Sequence, residues 1–162
     1  MSAHSSIDLG SNYERLTGNC TRIVAEEIAR TISPPITTSS FVLDNACGPG
    51  IVTEQIKLLY PDAKILASDI APVMIEQVKE RIEREAWTDV EAVIMDGRDL
   101  SGLKDESVSH AITAFGMLDP VDEEAGVKTA KAMYRVLKVG GVAMFANWAG
   151  MYESDSAVSL VC

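Results

Sequence analysis

The chain has 162 residues, 47% of them hydrophobic, which is enough apolar material for one buried core and not for two. Its formal net charge of -10 argues against nucleic acid or an anionic membrane surface as partner, since both reward clustered Lys and Arg. Cys20, Cys47 and Cys162 are too widely spaced to suggest a disulfide framework or a zinc ligand set, so no metal is expected.

Residues 1–12 are rich in Ser, Asn and Gly, read as a mobile arm, and show neither the basic nor the apolar region of a secretory leader. No run approaches the roughly 18 apolar residues of a membrane span, and a cytoplasmic placement is expected. From Tyr13 to Thr31 the apolar residues Leu16, Ile23, Val24 and Ile28 predict a helix, ended by the linker Ser33-Pro-Pro-Ile-Thr-Thr-Ser-Ser40. The organisation expected is a single domain: an arm and helix over 1–40, a core over 41–148 and a short tail over 149–162.

Phe41, Val42 and Leu43 read as a buried parallel strand running straight into Asp44-Asn-Ala-Cys-Gly-Pro-Gly50, with a helix from Ile51 onward. Gly48 and Gly50 permit close approach of a ligand to backbone, at the carboxyl end of a strand where open α/β sheets bind their ligands. A dinucleotide fingerprint wants a third glycine where Thr53 stands, and no phosphate-binding Gly-Lys-Ser/Thr run occurs, so polyphosphate is disfavoured. Asp44 would repel phosphate and attract an ammonium or sulfonium group. S-adenosylmethionine carries both.

The next strand, Lys64-Ile-Leu-Ala-Ser-Asp69, ends in an acid suited to the hydroxyls of a vicinal diol. Pro72 then opens a helix to Ala86, with Ile75, Val78 and Ile82 on its buried stripe and Glu80 and Arg84 as an exposed pair. A third strand, Val90-Glu-Ala-Val-Ile-Met-Asp96, ends in an acid before Gly97, so three strand-end carboxylates are expected around one crevice. Further on, Asp119 reads as an N-cap with Pro120 at the first helical position, followed by Lys128, Lys131, Arg135 and Lys138 and a stop at Gly140-Gly141. Cys47 has no evident His partner, and its small size alone explains its place in the turn.

From about Tyr13 to Trp148 these motifs, in this order, resemble the class I S-adenosylmethionine-dependent methyltransferases of the small-molecule type. The resemblance implies an α/β fold: a doubly wound, mainly parallel Rossmann-like sheet of order 3-2-1-4-5 with helices on both faces. It makes Leu43–Gly50 the first motif, in which the backbone of Ala46, Cys47, Gly48 and Gly50 cradles the methionine moiety and Asp44 helps hold its ammonium. It assigns the ribose hydroxyls to Asp69, the adenosine flank to Ile70 and Met74, the adenine amino group to Asp96, and the ring's neighbourhood to Gly97. His110–Leu118 is similar to the fourth-strand segment facing the methyl donor, where Phe115 and Met117 border the methyl group or serve as core. Tyr134–Val142 is similar to the turn entering the fifth strand.

Two departures stand out. Ala46 replaces a common glycine, a small change because alanine adds only a methyl group and fits any ordinary negative-φ position. After Trp148 too little chain remains for the usual antiparallel hairpin, so the sheet is expected to be truncated after strand 5, with its open edge a route to a homodimer unless the tail covers it. Tyr13 and Leu16 read equally as lid residues or as a helix resting on the sheet. His110, at the start of its strand, reads as structural and His4 lies in the arm, so no catalytic base is named. The expected function is methyl transfer to a small-molecule nucleophile by alignment and proximity; the alternative is a noncatalytic domain that binds the cofactor or a protein partner without turnover.

Overall fold

The computed structural model describes residues 17, 19–116 and 124–148. In chain order these form α1 (Cys20–Thr31), β1 (Phe41–Asn45), α2 (Ile51–Leu59), β2 (Lys64–Asp69), α3 (Pro72–Arg84), β3 (Val90–Ile94), β4 (Val108–Ala114), α4 (Ala125–Val136) and β5 (Leu137–Ala146). The strands make one parallel sheet in the order β3-β2-β1-β4-β5, as the resemblance implies. β1 lies at its centre with both faces covered, which is why Phe41–Leu43 is an unbroken apolar run rather than an alternation.

Strand register sorts the side chains onto two faces. Asp44 sits beside Ala67 and Ile112, while Leu43 sits beside Leu66 and Ala111 on the opposite face. The first face packs against α1, α2 and α3 through Ala25, Ile28, Ile51, Ile56, Ile75 and Val78. The other carries α4 through Ala132, Met133 and Val136. Helices therefore cover both sides, and no helix among the described residues is long and apolar enough to cross a membrane.

In α1 the buried residues are Thr21, Ala25, Ile28 and Ala29, whereas Ile23 is 63% exposed. The expected stripe is thus rotated: the small alanines face inward, and the bulkier Ile23 is left outside. Tyr13 and Leu16 lie outside the described residues. Glu54 of α2 accepts from Arg22 of α1 at 2.8 Å and from Arg81 of α3 at 2.7 Å, which ties the three helices of this face together.

Two expectations about charged residues and one about helix length need correction. Arg84 bonds Glu85 at 2.9 Å rather than Glu80. Gly140-Gly141 does not stop α4, which ends at Val136, and Leu137 already pairs with Val108 as the start of β5. Lys138 therefore belongs to β5, whose backbone between Leu137 and Val142 takes up more residues than the facing step from Val108 to His110. Leu137 pairs with Val108 and packs, partly buried, against the α4-side core, and the residues up to Gly141 take up the surplus. Asp119 and Pro120 lie outside the described residues.

At the opposite end of the sheet from the glycine turn, buried Lys57 donates to the carbonyls of Pro61, Ala63 (3.2 Å) and Thr88 (2.9 Å). All three ammonium hydrogens are used, and the loops entering β2 and β3 are held by one side chain. Lys57→Met should lower the unfolding free energy in urea by about 2–4 kcal/mol, because three carbonyls lose a charged donor at once.

Candidate functional site

The turn after β1 is built by backbone hydrogen bonds that continue the sheet. Cys47 donates to Ser68 O at 2.9 Å, one step beyond the last β1–β2 pair, and Gly50 donates to Cys47 O at 3.0 Å to close the turn. Gly50 has φ +86, and a Cβ there would stand 3.1 Å from Val78 Cγ2, so glycine is demanded twice, by conformation and by the approach of α3. Its carbonyl accepts from Glu54 N at 3.0 Å and begins α2.

Asp44 is wholly buried beneath this turn. Its Oδ2 accepts from the Thr53 amide at 3.0 Å and from the Thr53 hydroxyl at 2.6 Å, so it satisfies a free donor of the first turn of α2. Its Oδ1 has no hydrogen-bond partner among the described residues. Burial pushes the Asp44 carboxyl up from an ordinary 3.8 to about 6, against the lowering effect of the two Thr53 bonds, with a smaller rise from the Asp69 charge.

Asp69 faces the turn from the end of β2. One oxygen accepts from Gly48 N and the other from Ala71 N, both at 2.9 Å, leaving further lone pairs on each. Asp44 and Asp69 thereby line one cavity of about 180 Å³ together with Ala46, Cys47, Gly48, Met74 and Phe115. Burial, then the Asp44 and Asp69 charges, hold the Cys47 thiol well above its ordinary range, so it stays protonated rather than serving as a nucleophile.

The remaining sequence candidates fall elsewhere. Gly50 shapes the turn without lining this cavity, and Ile70 is 58% exposed beside it. Asp96 lines a second cleft of about 590 Å³ with Leu66, Glu91 and Val93, residues that lie on the other face of the sheet from Asp44 and Ala67. The Arg98 guanidinium and amide surround its carboxylate at 2.7–3.1 Å and hold its pKa below the usual carboxylate range. Gly97 packs on buried Asn45, whose Nδ2 donates to Gly97 O at 3.3 Å. Three carboxylates do not ring one crevice, then: two share it and the third is engaged by an arginine. Met117 lies outside the described residues.

Ala46 also departs from expectation. Its φ is +54, in the left-handed region that disfavours any side chain, rather than an ordinary negative angle. The methyl is accommodated because Gly116 lies opposite; a Cβ at 116 would come within 2.3 Å of the Ala46 Cβ. His110 is buried in β4, with Nε2 3.0 Å from Pro34 O and Nδ1 2.8 Å from Ser109 Oγ, and does not line the cavity. Its position agrees with a structural role.

A family model described as a methyltransferase domain matches residues 42–141. This chain belongs to the class I S-adenosylmethionine-dependent methyltransferases. Methyltransferase ucsB of Acremonium sp is 34% identical over 128 residues, which cover 72% of this chain and 43% of the relative. A trans-aconitate 2-methyltransferase of Methylobacterium radiotolerans is 35% identical over 75 residues, 46% of this chain and 28% of that one. The crystal structure of an S-adenosylmethionine-dependent methyltransferase from Aquifex aeolicus shares the fold with TM-score 0.70 at 18% identity, covering 94% of this chain and 80% of that one. The chain spans less than half the length of the curated relatives it matches.

The cavity of this methyltransferase domain fits the family's cofactor on its own chemistry. One buried carboxylate oxygen of Asp44 has no partner among the described residues, the space at the Gly48 Cβ position is open, and Met74, Ala71 and Phe115 supply an apolar wall. Sequence reasoning passed over Thr53, treating it only as a missing glycine, and Thr21, which reaches the cavity from α1. A signal for Thr53 existed, because a hydroxyl in the first turn of a helix is a natural partner for a nearby acid.

Because the folded pKa of Asp44 exceeds its unfolded value, its ionisation opposes folding, and the loss of stability accrues as pH rises from about 4 through about 6. Asp44→Asn keeps an acceptor for Thr53 and removes the charge. Its stability relative to the parent should grow by up to about 3 kcal/mol between pH 4 and pH 7, read from urea unfolding at each pH.

Proposed function

We propose that this domain positions S-adenosylmethionine for methyl transfer to a small-molecule nucleophile. The observation that carries this reading is the pair Asp44 and Asp69 on either side of the glycine turn in one cavity, with Asp44 Oδ1 lacking a partner. In this reading Asp44 receives the ammonium, since a buried carboxylate at low dielectric attracts a cation strongly. Asp69 accepts from the ribose hydroxyls on the lone pairs left beside Gly48 N and Ala71 N. Met74 and the exposed Ile70 flank the adenosine, and Phe115 borders the reacting end. Asp96, which lines the second cleft with its carboxylate engaged by Arg98, is given no part in this reading.

When bound, the sulfonium supplies an already activated methyl group. The chain's own residues are left to orient it, to exclude water and to align the acceptor. A small acceptor agrees with the net charge of -10, which disfavours nucleic acid.

Calorimetric titration with S-adenosylhomocysteine tests the site directly. Binding should weaken by about 1–3 kcal/mol in Asp69→Ala, the range for leaving buried hydroxyls unpaired. Asp44→Asn should also bind more weakly although it folds more stably, a combination that a merely structural carboxylate would not give. Unchanged affinity in both variants would remove the assignment, and binding with no radiolabelled methyl transfer to any small molecule would leave a cofactor-binding domain without turnover.

A further inference from the structure

We infer that this chain forms a two-fold symmetric dimer through the face of the sheet opposite the Asp44 cavity, with α4 of each copy seated in the cleft over β2 and β3 of the other. The cleft exists because residues 95–107 join β3 to β4 without a helix. That connection crosses β2 and β1 as a loop, with Leu100 and Leu103 packed into the core beneath it. On one side of the loop lies α4, held to it by Arg135, which donates to the carbonyls of Asp99 (3.0 Å), Leu100 (2.9 Å) and Leu103 (3.0 Å). On the other side the cleft is open over about 590 Å³ on a floor of Phe41, Leu66, Val93 and Met95. Ridge and groove therefore stand side by side on one face.

The ridge carries apolar surface left in water. Val127 and Tyr134 stand two turns apart on α4 with Lys131 between them on the same side, and they are 56% and 83% exposed. The cleft has the complementary character, an apolar floor with Glu91 and Asp99 exposed at its rim. Asp96 adds no free charge there, because Arg98 neutralises it, and Lys64 lies outside the lining. The side chains of Lys131 and Glu91 have no ion-pair or hydrogen-bond partner among the described residues. Two copies each of net charge -10 repel at long range, so their attraction has to come from a local match of this kind.

Strand register sets the height of the two charges. Glu91 is level with Leu66, Leu43 and Ala111 across the sheet. Ala132 and Met133 of α4 belong to the same core cluster as Leu43 and Ala111, which puts Lys131 at about that level too. A two-fold axis running along the strands, over the 95–107 loop, exchanges left and right on the face and leaves height unchanged. It brings Lys131 of each copy to Glu91 of the other, and lays Val127 and Tyr134 on the apolar floor. Each copy then uses its one ridge and its one groove, so the assembly closes at two. A foreign partner would need a ridge and a groove of its own to cover the same surface, and a second copy already has both. The Asp44 cavity lies on the opposite face and stays open.

Sedimentation equilibrium of the full chain tests this, and should show monomer and dimer exchanging in the micromolar range with no larger species. Lys131→Glu sets like charges together at two equivalent contacts, and should raise the dissociation constant about tenfold at each, about a hundredfold in all. Glu91→Lys should do the same. Mixing these two variants, each dissociated alone, should restore association to within about threefold of the parent, because both contacts then pair opposite charges. Both sites are exposed, so the urea midpoint of each variant should match the parent and show that the fold is intact. A monomer at every concentration up to about 0.2 mM, an open series of larger assemblies, a dimer indifferent to Lys131→Glu, as one through the outer edge of β5 would be, or a mixture that fails to associate would each overturn the inference. None of these outcomes touches the cofactor assignment.

Discussion

The carboxylate of Asp44, buried at the end of the central strand and bonded by Oδ2 to the amide and hydroxyl of Thr53, is the interaction on which the site depends. It fastens the last turn of β1 to the first turn of α2, so the chain between them must bend as a tight loop rather than wander. Cys47 and Gly50 close that loop with backbone bonds, and Asp69 grips it from the neighbouring strand through Gly48 N. Remove the acid and the loop loses its inner anchor, whatever binds above it.

That anchor is costly in the absence of a ligand. A fully enclosed carboxylate with one oxygen unpaired is, with the Thr113 hydroxyl, one of two buried side-chain groups among the described residues that lack a full set of partners, whereas Lys57 and the Ser109 and His110 side chains are well bonded. For Asp44, the proposed ammonium contact would supply the missing partner. The sign of the pKa change supports the same view: burial disfavours the charge until something positive balances it.

Much of this was legible in the residues. Unbroken apolar runs announced the central parallel strands, Pro72 marked the start of α3, and Asp44 and Asp69 stood at strand ends with a glycine turn between them. What escaped reading depended on relations across the sheet. Asp96 looks equivalent to the other two acids along the chain, but it lies beyond the last paired residue of β3, lines a different cleft and is bound by Arg98. The glycines at 140 and 141 looked like a helix stop, and only the pairing of Leu137 with Val108 shows them to be inside a strand. Likewise the rotation of α1 follows from how closely two alanines let it approach α2, which no count of apolar residues reveals.

The contact between Ala46 and Gly116 joins two loops that are far apart in sequence, one leaving β1 and the other leaving β4. A methyl group on the first occupies the room that a methyl on the second would need. Variation at these positions is therefore reciprocal: the floor of the site can be recontoured by exchanging which loop carries the bulk, whereas bulk on both forces the strands apart. Any redesign of the pocket has to treat the two positions as a single unit.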